Sequence, residues 1–311
     1  MTPVNPWLEE ILSLVRKVYE AANAYDKYTP GDELRLDYRN DYLLAQLEVF
    51  LPLIRSYFHY EVFGLEHVPK AGRAVLVSNH GILPVDGFLL IYAIKEALGR
   101  WPKGLTDRRI FRIPVLRQFF MDLGIVLAHP QTGAALLERG EIVYIMPGGA
   151  REAFKSSRDR YQLMWKRRKG FVRLAMQTGA PIIPAVCIGI DETYHVFFEG
   201  YKLSERLFGK DVFLPISLPV GLGPLPLPAR LTHHIGKPIR FRYRPGDAAD
   251  PRKVNRLHGR VMESMEELLK RGMAAHRPEP TEPAADVAAR AEPPADRQGG
   301  PRKTDRPATT D

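Results

Sequence analysis

One cysteine in 311 residues, Cys187, leaves no pair for a disulfide within the chain, so a stapled secreted scaffold is excluded and a reducing compartment fits best. It lies inside the apolar run PIIPAVCIGI, the place of a small buried side chain rather than a nucleophile. Long apolar runs are missing too. A membrane-spanning helix needs about 18 or more such residues. The longest uncharged stretch, Val212 to Ala229, carries Pro215, Pro219, Pro224, Pro226 and Pro228. Each proline would cost a helix interior about 3 kcal/mol, so this segment reads as an apolar loop. The opening MTPVNPWLEEI has no basic leader and meets glutamates at once, so no secretory signal is expected and the chain is expected on the cytoplasmic side. No Gly-x-Ser-x-Gly elbow occurs, which removes the usual serine nucleophile. Neither a helix-turn-helix, a zinc pattern nor an RNA-recognition pattern is present, and only Phe111, Tyr161 and Trp165 interleave the basic clusters, so nucleic acid is not an expected partner. A metal site is not expected either. His233 and His234 are adjacent and point to opposite faces of a strand, and His59, His67, His129 and His195 lack spaced partners.

What is present is a basic, globular body. The formal charge is +9, and residues 275–311 carry six Lys/Arg against seven Asp/Glu, which leaves +10 on the remainder. That balance suits an anionic partner: nucleic acid, a phospholipid surface or a phosphate-bearing cofactor. The same final segment holds seven prolines in 37 residues and almost nothing large and apolar, so it is expected to be disordered. At the other end, Asn5 and Pro6 suit a helix start, and Trp7, Ile11, Leu14, Val15, Val18 and Ala22 recur at helical spacing. A second amphipathic helix is predicted over Tyr42 to Phe58, kinked at Pro52. Both helices fit packing on the main domain or a lipid interface. The expected organisation is amphipathic helices over 1–59, a catalytic-size domain over 60–274 and a tail over 275–311.

Within the middle segment, GRAVLVSN (72–79), GIVLA (124–128), EIVYIM (141–146) and PIIPAVCIGI (181–190) read as buried strands. Asp86 to Leu98, Gln131 to Gly140 and Gly170 to Thr178 read as helices. This alternation predicts an α/β fold, a largely parallel central sheet flanked by helices and preceded by an N-terminal two-helix amphipathic element. Ligand sites in such folds lie where strands end and helices begin.

Two motifs fall at such ends. In VSNHGILPVDGF, His80 follows a strand and Asp86 opens a helix. A turn through Gly81 to Val85 can bring the carboxylate to one ring nitrogen, leaving the other as a base. No nucleophile accompanies the pair, so the nucleophile is expected on the substrate, as in acyl transfer to an alcohol. The plain alternative is a first-turn acid and a loop histidine. In EIVYIMPGGAREAF, Pro147, Gly148, Gly149, Arg151 and Glu152 follow a strand, and the two glycines allow close approach of backbone N–H groups to an oxyanion or phosphate. From Arg151 to Arg173 nine Lys/Arg stand against two Asp/Glu, and Asp107-Arg108-Arg109-Ile110-Phe111-Arg112 forms a second basic cluster. Such runs are ordinarily solvated faces; here they also suit coenzyme A phosphates or anionic headgroups.

Four blocks in order, NHGILPVD, RRIFRIP, PGGARE and GAPIIPAV, resemble the glycerolipid and lysophospholipid acyltransferase family over roughly residues 60–245. The resemblance implies that His80 is the base and Asp86 its partner, deprotonating a lipid hydroxyl that attacks an acyl-CoA or acyl-carrier-protein thioester. Acyl-CoA or acyl-ACP is then a co-substrate, with no cofactor bound. Asn79, Gly81, Arg109, Phe111, Arg112, Pro147, Gly148, Gly149, Arg151 and Glu152 are the implied substrate-binding positions. Two departures stand out: five residues separate His80 from Asp86 where four are common, and Gly148 occupies the place of a glutamate. Both resemble the phytyl ester synthase and diacylglycerol acyltransferase-like branch. This favours a neutral acceptor, mono- or diacylglycerol or a long-chain alcohol, with lysophosphatidate, giving phosphatidate, as the alternative. A peripheral attachment to a membrane surface would follow from the amphipathic helices, the basic surface and the apolar lip at 212–229 together.

Overall fold

The computed structural model describes residues 36–107, 111, 114–165, 167–197, 219–221 and 225–276. The helix expected over Trp7 to Ala22 and the tail beyond 276 lie outside them. Helix α1 (Asp41–Tyr57) starts where the Asn40 side chain accepts the Leu43 N–H at 3.1 Å, and Pro52 sits inside it. Strands β1 (Glu61–Phe63) and β2 (Ala74–Val77) follow, then α2 (Val85–Leu98), which ends on left-handed Gly99. Next come β3 (Lys103–Thr106), α3 (Pro114–Asp122), β4 (Val126–Leu127), α4 (Pro130–Glu138) and β5 (Ile142–Ile145). The short α5 (Gly149–Ala153), α6 (Gly170–Thr178) and β6 (Ile182–Ile188) complete the part read from sequence. Strands β7 (His195–Val196), β8 (Pro219–Val220) and β9 (Thr232–Ile235) precede the long α7 (Pro251–His276).

The main sheet runs β1-β9-β6-β2-β5-β3-β4. Every neighbouring pair is parallel except β6 with β9, so β1 and β9 run against the other five. Alternation along the strands feeds two cores. Val75, Val77, Val143, Ile182 and Val186 face α4, α6 and α7, whose Leu137, Val172, Leu257, Val261 and Met265 are fully buried. Leu76, Ile142, Tyr144, Ile183 and Cys187 face α1 and α2 through Leu44, Leu51, Leu89 and Leu90. Burying each such aliphatic side chain contributes about 1.5–3 kcal/mol.

Several elements went unread in the sequence. Strands β1, β3 and β9 are three or four residues long and carry polar or charged positions, so they show no apolar run. Helix α7 did have a signal. Asp250 accepts the Arg252 N–H at 2.8 Å ahead of Pro251 at the start, and Val254, Leu257, Val261, Met265 and Leu269 form one buried stripe. It runs to His276, so residues 275 and 276 are helical rather than tail. The apolar loop expected at 212–229 lies partly outside the described residues, and its described part is not free loop. Pro219–Val220 pairs with His195–Val196, the Leu227 N–H donates to Thr193 O at 2.7 Å, and the Tyr57 hydroxyl donates to Pro226 O at 2.6 Å.

Candidate active site

Three adjacent strands, β6, β2 and β5, deliver Gly189–Glu192, Ser78–Gly81 and Met146–Gly149 to the same end of the sheet. The register fixes this: Val77 lies opposite both Ile145 and Pro184. Beyond Val77 the Asn79 side chain carries the pairing on. Its amide donates to Cys187 O at 2.9 Å and its carbonyl accepts the Cys187 N–H at 2.8 Å. Asn79, expected to contact substrate, is 1% exposed and serves as a strut between the neighbouring strands β2 and β6.

His80 hangs from this strut. Its Nδ1 bonds Gly81 O at 2.6 Å, an acceptor only, so Nδ1 carries the proton and Nε2 keeps its lone pair. Burial, with the Lys155 charge as a smaller contributor, lowers the imidazole pKa to about 4 against the pull of the Gly81 bond. The ring is therefore neutral at neutral pH.

Asp86 does not meet His80 here. The expected pairing is replaced by the Gly81 carbonyl, and both Asp86 carboxyl oxygens are buried without a well-formed hydrogen bond. The N–H groups of Asp86 and Gly87 in the first turn of α2 draw its pKa down, but desolvation wins and raises it to about 7. The carboxyl instead belongs to a buried cluster of polar side chains on the face of the sheet that packs on α1 and α2. Asp86, Cys187 and His233 bring potential ligand atoms within 4.8 Å of one another, and the Tyr144 hydroxyl and His233 Nε2 are likewise unpartnered. His233 Nδ1 shares a 3.0 Å hydrogen bond with the Tyr60 hydroxyl. Of Asp86, Cys187 and His233, only His233 is held by a further side chain. The antiparallel register puts Cys187 opposite His233.

On the other flank, the Pro147-Gly148-Gly149 turn is less open than the sequence suggested. Pro147 and Gly148 are buried, and the Gly149 N–H is already donated to Met146 O at 3.1 Å, with Gly149 at φ 54°. That N–H is not available for an oxyanion. Glu152, expected to contact substrate, is 0% exposed and accepts the backbone N–H groups of His80 at 2.9 Å and Met164 at 2.7 Å. Desolvation lifts its pKa to about 7, with Lys155 and the two N–H donors pulling the other way. Arg151 is exposed at the turn. Phe111, expected to contact substrate, is buried at 4% exposure, while Arg109 and Arg112 lie outside the described residues.

Lys155 was missed as one basic residue among nine, yet it is the buried cation of the site. Its ammonium donates to Asp191 at 2.7 Å with both side chains under 10% exposed, and the other Asp191 oxygen accepts the Tyr161 N–H at 2.6 Å. The Tyr161 hydroxyl donates to Glu192 at 2.6 Å and accepts the Gly189 N–H at 2.9 Å. These bonds tie the segment after α5 to the end of β6. Ile82, Lys155, Ser157, Arg160, Asp191 and Tyr194 line a shallow cleft beside the His80 turn.

A neutral base with a free lone pair, beside a cleft and over a charged floor, suits proton abstraction from a hydroxyl brought by a substrate. The diacylglycerol acyltransferase family model matches residues 52–282. An uncharacterized protein of Mycobacterium tuberculosis is 36% identical over 239 residues, 73% of this chain and 66% of its own length. The human DGAT1/2-independent enzyme synthesizing storage lipids is 31% identical over 183 residues, 58% of this chain and 54% of its own. The chain thus spans just under two thirds of the mycobacterial relative and about half of the human one. The crystal structure of the 1-acyl-sn-glycerophosphate acyltransferase from Thermotoga maritima aligns with a TM-score of 0.48 at 16% identity, over 74% of this chain and 80% of that one.

Proposed function

Because the chain belongs to the diacylglycerol acyltransferase family, we propose that it moves a fatty acyl group from a thioester, acyl-CoA or acyl-ACP, to the hydroxyl of a neutral lipid, with His80 as general base. The observation that carries this is the His80 tautomer: Nδ1–H is held by Gly81 O, so Nε2 is the nitrogen left to take a proton. As the acceptor oxygen attacks the thioester carbonyl, Nε2 removes its proton. When the tetrahedral intermediate collapses, the carbon–sulfur bond breaks and the imidazolium returns that proton to the leaving thiolate. Acyl thioester and acceptor are both co-substrates, and no resident cofactor enters these steps.

Asp86 is the group available to strengthen the base. Its carboxyl has no hydrogen-bond partner, and taking Nδ1 from Gly81 once substrate is bound would raise the depressed basicity of the ring. The neutral acceptor, a mono- or diacylglycerol or a long-chain alcohol, is supported by the third block. Gly148 carries no acid, and the nearby Glu152 is committed to two backbone N–H groups.

Attachment to a lipid surface on the cytoplasmic side is part of the proposal. Val49, Phe50 and Leu53 on α1 and Val115, Leu116 and Phe119 on α3 are exposed apolar side chains, and no described helix is long and apolar enough to cross a membrane.

The test is product analysis by mass spectrometry of purified protein with acyl-CoA and lysophosphatidate, diacylglycerol or a long-chain alcohol in turn, each beside His80→Ala. Esters of the neutral acceptors only, lost in the variant, support the proposal. Phosphatidate as the main product would replace the neutral acceptor with lysophosphatidate. Free fatty acid regardless of acceptor would make the protein a hydrolase.

A further inference from the structure

We propose that Glu152 is a positioning residue for His80 and that Gly148 is glycine in order to admit it. The proposal rests on His80 being the base.

His80 lies where the β2 ladder runs out. The Ser78 N–H still finds Ile145 O at 3.1 Å, but two residues on the chain has left β5, and the His80 N–H is taken by Glu152 Oε1 instead. A backbone N–H at a buried strand end must find an acceptor. Here the acceptor comes from a side chain 72 residues away in sequence. The second oxygen accepts the Met164 N–H, so both carboxyl oxygens point at main chain and neither toward the cleft. Glu152 therefore pins together the root of the base, the turn after β5 and the segment entering α6.

Gly148 is the other half of this device. A Cβ built there would lie 2.3 Å from the Glu152 carboxyl carbon, 2.3 Å from its Oε2 and 2.4 Å from its Cβ. Backbone φ at Gly148 is −62°, which any residue adopts, so the need for glycine is one of space and not of conformation. The space a side chain at 148 would need is filled by the Glu152 carboxylate, and no side chain at 148 is compatible with Glu152 in this position. The absence of an acid at 148 and the presence of one at 152 are a single structural fact.

A displacement of about 1 Å at a catalytic group costs on the order of 100-fold in rate. Glu152→Ala is expected to lower kcat by about that factor with KM for the acceptor nearly unchanged, because both Glu152 oxygens are taken by backbone N–H groups. Gly148→Ala is expected to give a similar loss by evicting the carboxylate, and Gly148→Ala with Glu152→Ala to be no worse than Glu152→Ala alone. Rates are normalised to the folded fraction measured by thermal unfolding, so that lost stability is not read as lost catalysis. The decisive arm is the His80→Ala background. If Glu152 acts through His80, adding Glu152→Ala there leaves the residual rate where His80→Ala put it.

Unchanged kcat per folded Glu152→Ala molecule, or a further loss in the His80→Ala background, overturns the positioning role while leaving the base intact. A fully active His80→Ala protein overturns both, and so separates the two failures.

Discussion

Asp86 in the first turn of α2 and Glu152 in α5 are both fully buried carboxyls with pKa values pushed up to about 7 by desolvation. They are held in opposite ways. Both oxygens of Glu152 accept backbone N–H groups; both oxygens of Asp86 lack a well-formed hydrogen bond. A satisfied buried acid fixes geometry, whereas an unsatisfied one stores free energy that a rearrangement can release. The site is thus rigid on the β5 side and poised on the α2 side.

The largest expected effect is at His80. His80→Ala should lower acyl transfer at least about 1,000-fold, within the range assigned to general base catalysis and its associated positioning, measured as ester formed per folded molecule. The variant should stay folded, since the histidine only caps a strand end.

The charged floor should matter for the fold. Lys155→Met leaves Asp191 buried without its cation and should cost about 3–5 kcal/mol in denaturant unfolding. Lys155→Met with Asp191→Leu should recover much of that loss. Recovery of stability without activity would separate the pair's effect on the reaction from its effect on the fold.

Asp86→Asn sharpens the contrast between the two acids. Because the folded-state pKa lies above that of the unfolded chain, the wild type holds a proton between about pH 4 and pH 7 that the unfolded chain releases. The associated stability is full below about pH 4 and is lost as pH rises through about 7. A shift of this size corresponds to roughly 4 kcal/mol over the whole window. His80 and His233, with pKa values lowered to about 4 and about 3 by burial, act in the opposite sense and lose stability as pH falls below about 6.5. The informative quantity is therefore the difference between Asp86→Asn and wild type. The variant should match the wild type near pH 4 and exceed it in stability above pH 7, while its kcat falls. A flat difference would mean that Asp86 is not held in the unpaired, protonated state.

The smallest effect on the fold belongs to the apolar surface. Val49→Glu with Leu53→Glu on α1 should change stability by less than about 0.5 kcal/mol per site, because both side chains are exposed. Co-sedimentation with phospholipid vesicles should drop. Unchanged vesicle binding would assign attachment to another surface.

The sequence was most legible where apolar runs were long. Strands β2, β5 and β6 and helices α2, α4 and α6 appear close to where periodicity put them, because each is buried by its own pattern. Short polar strands such as β9 were not legible, since their identity comes from the neighbours they pair with. At the site, His80 and the Pro-Gly-Gly turn could be read from their position after strands. Which carboxyl meets the histidine could not. Asp86 is six residues away and turns inward toward Cys187, while Glu152 arrives from the neighbouring strand's turn. The burial of Asn79 and Phe111 was not legible for a related reason: polarity or aromaticity near a motif does not say whether a side chain faces the cleft or the core.

The central claim is that His80 is a neutral base protonated on Nδ1, with Nε2 open to the acceptor hydroxyl. A pH titration of protein labelled with 15N in histidine, with the His80 signal assigned by its absence in His80→Ala, tests this most directly. The account predicts an Nδ1-protonated ring at pH 7 that takes up a second proton only near pH 4. An Nε2-protonated ring, or an imidazolium persisting at pH 7, would contradict it.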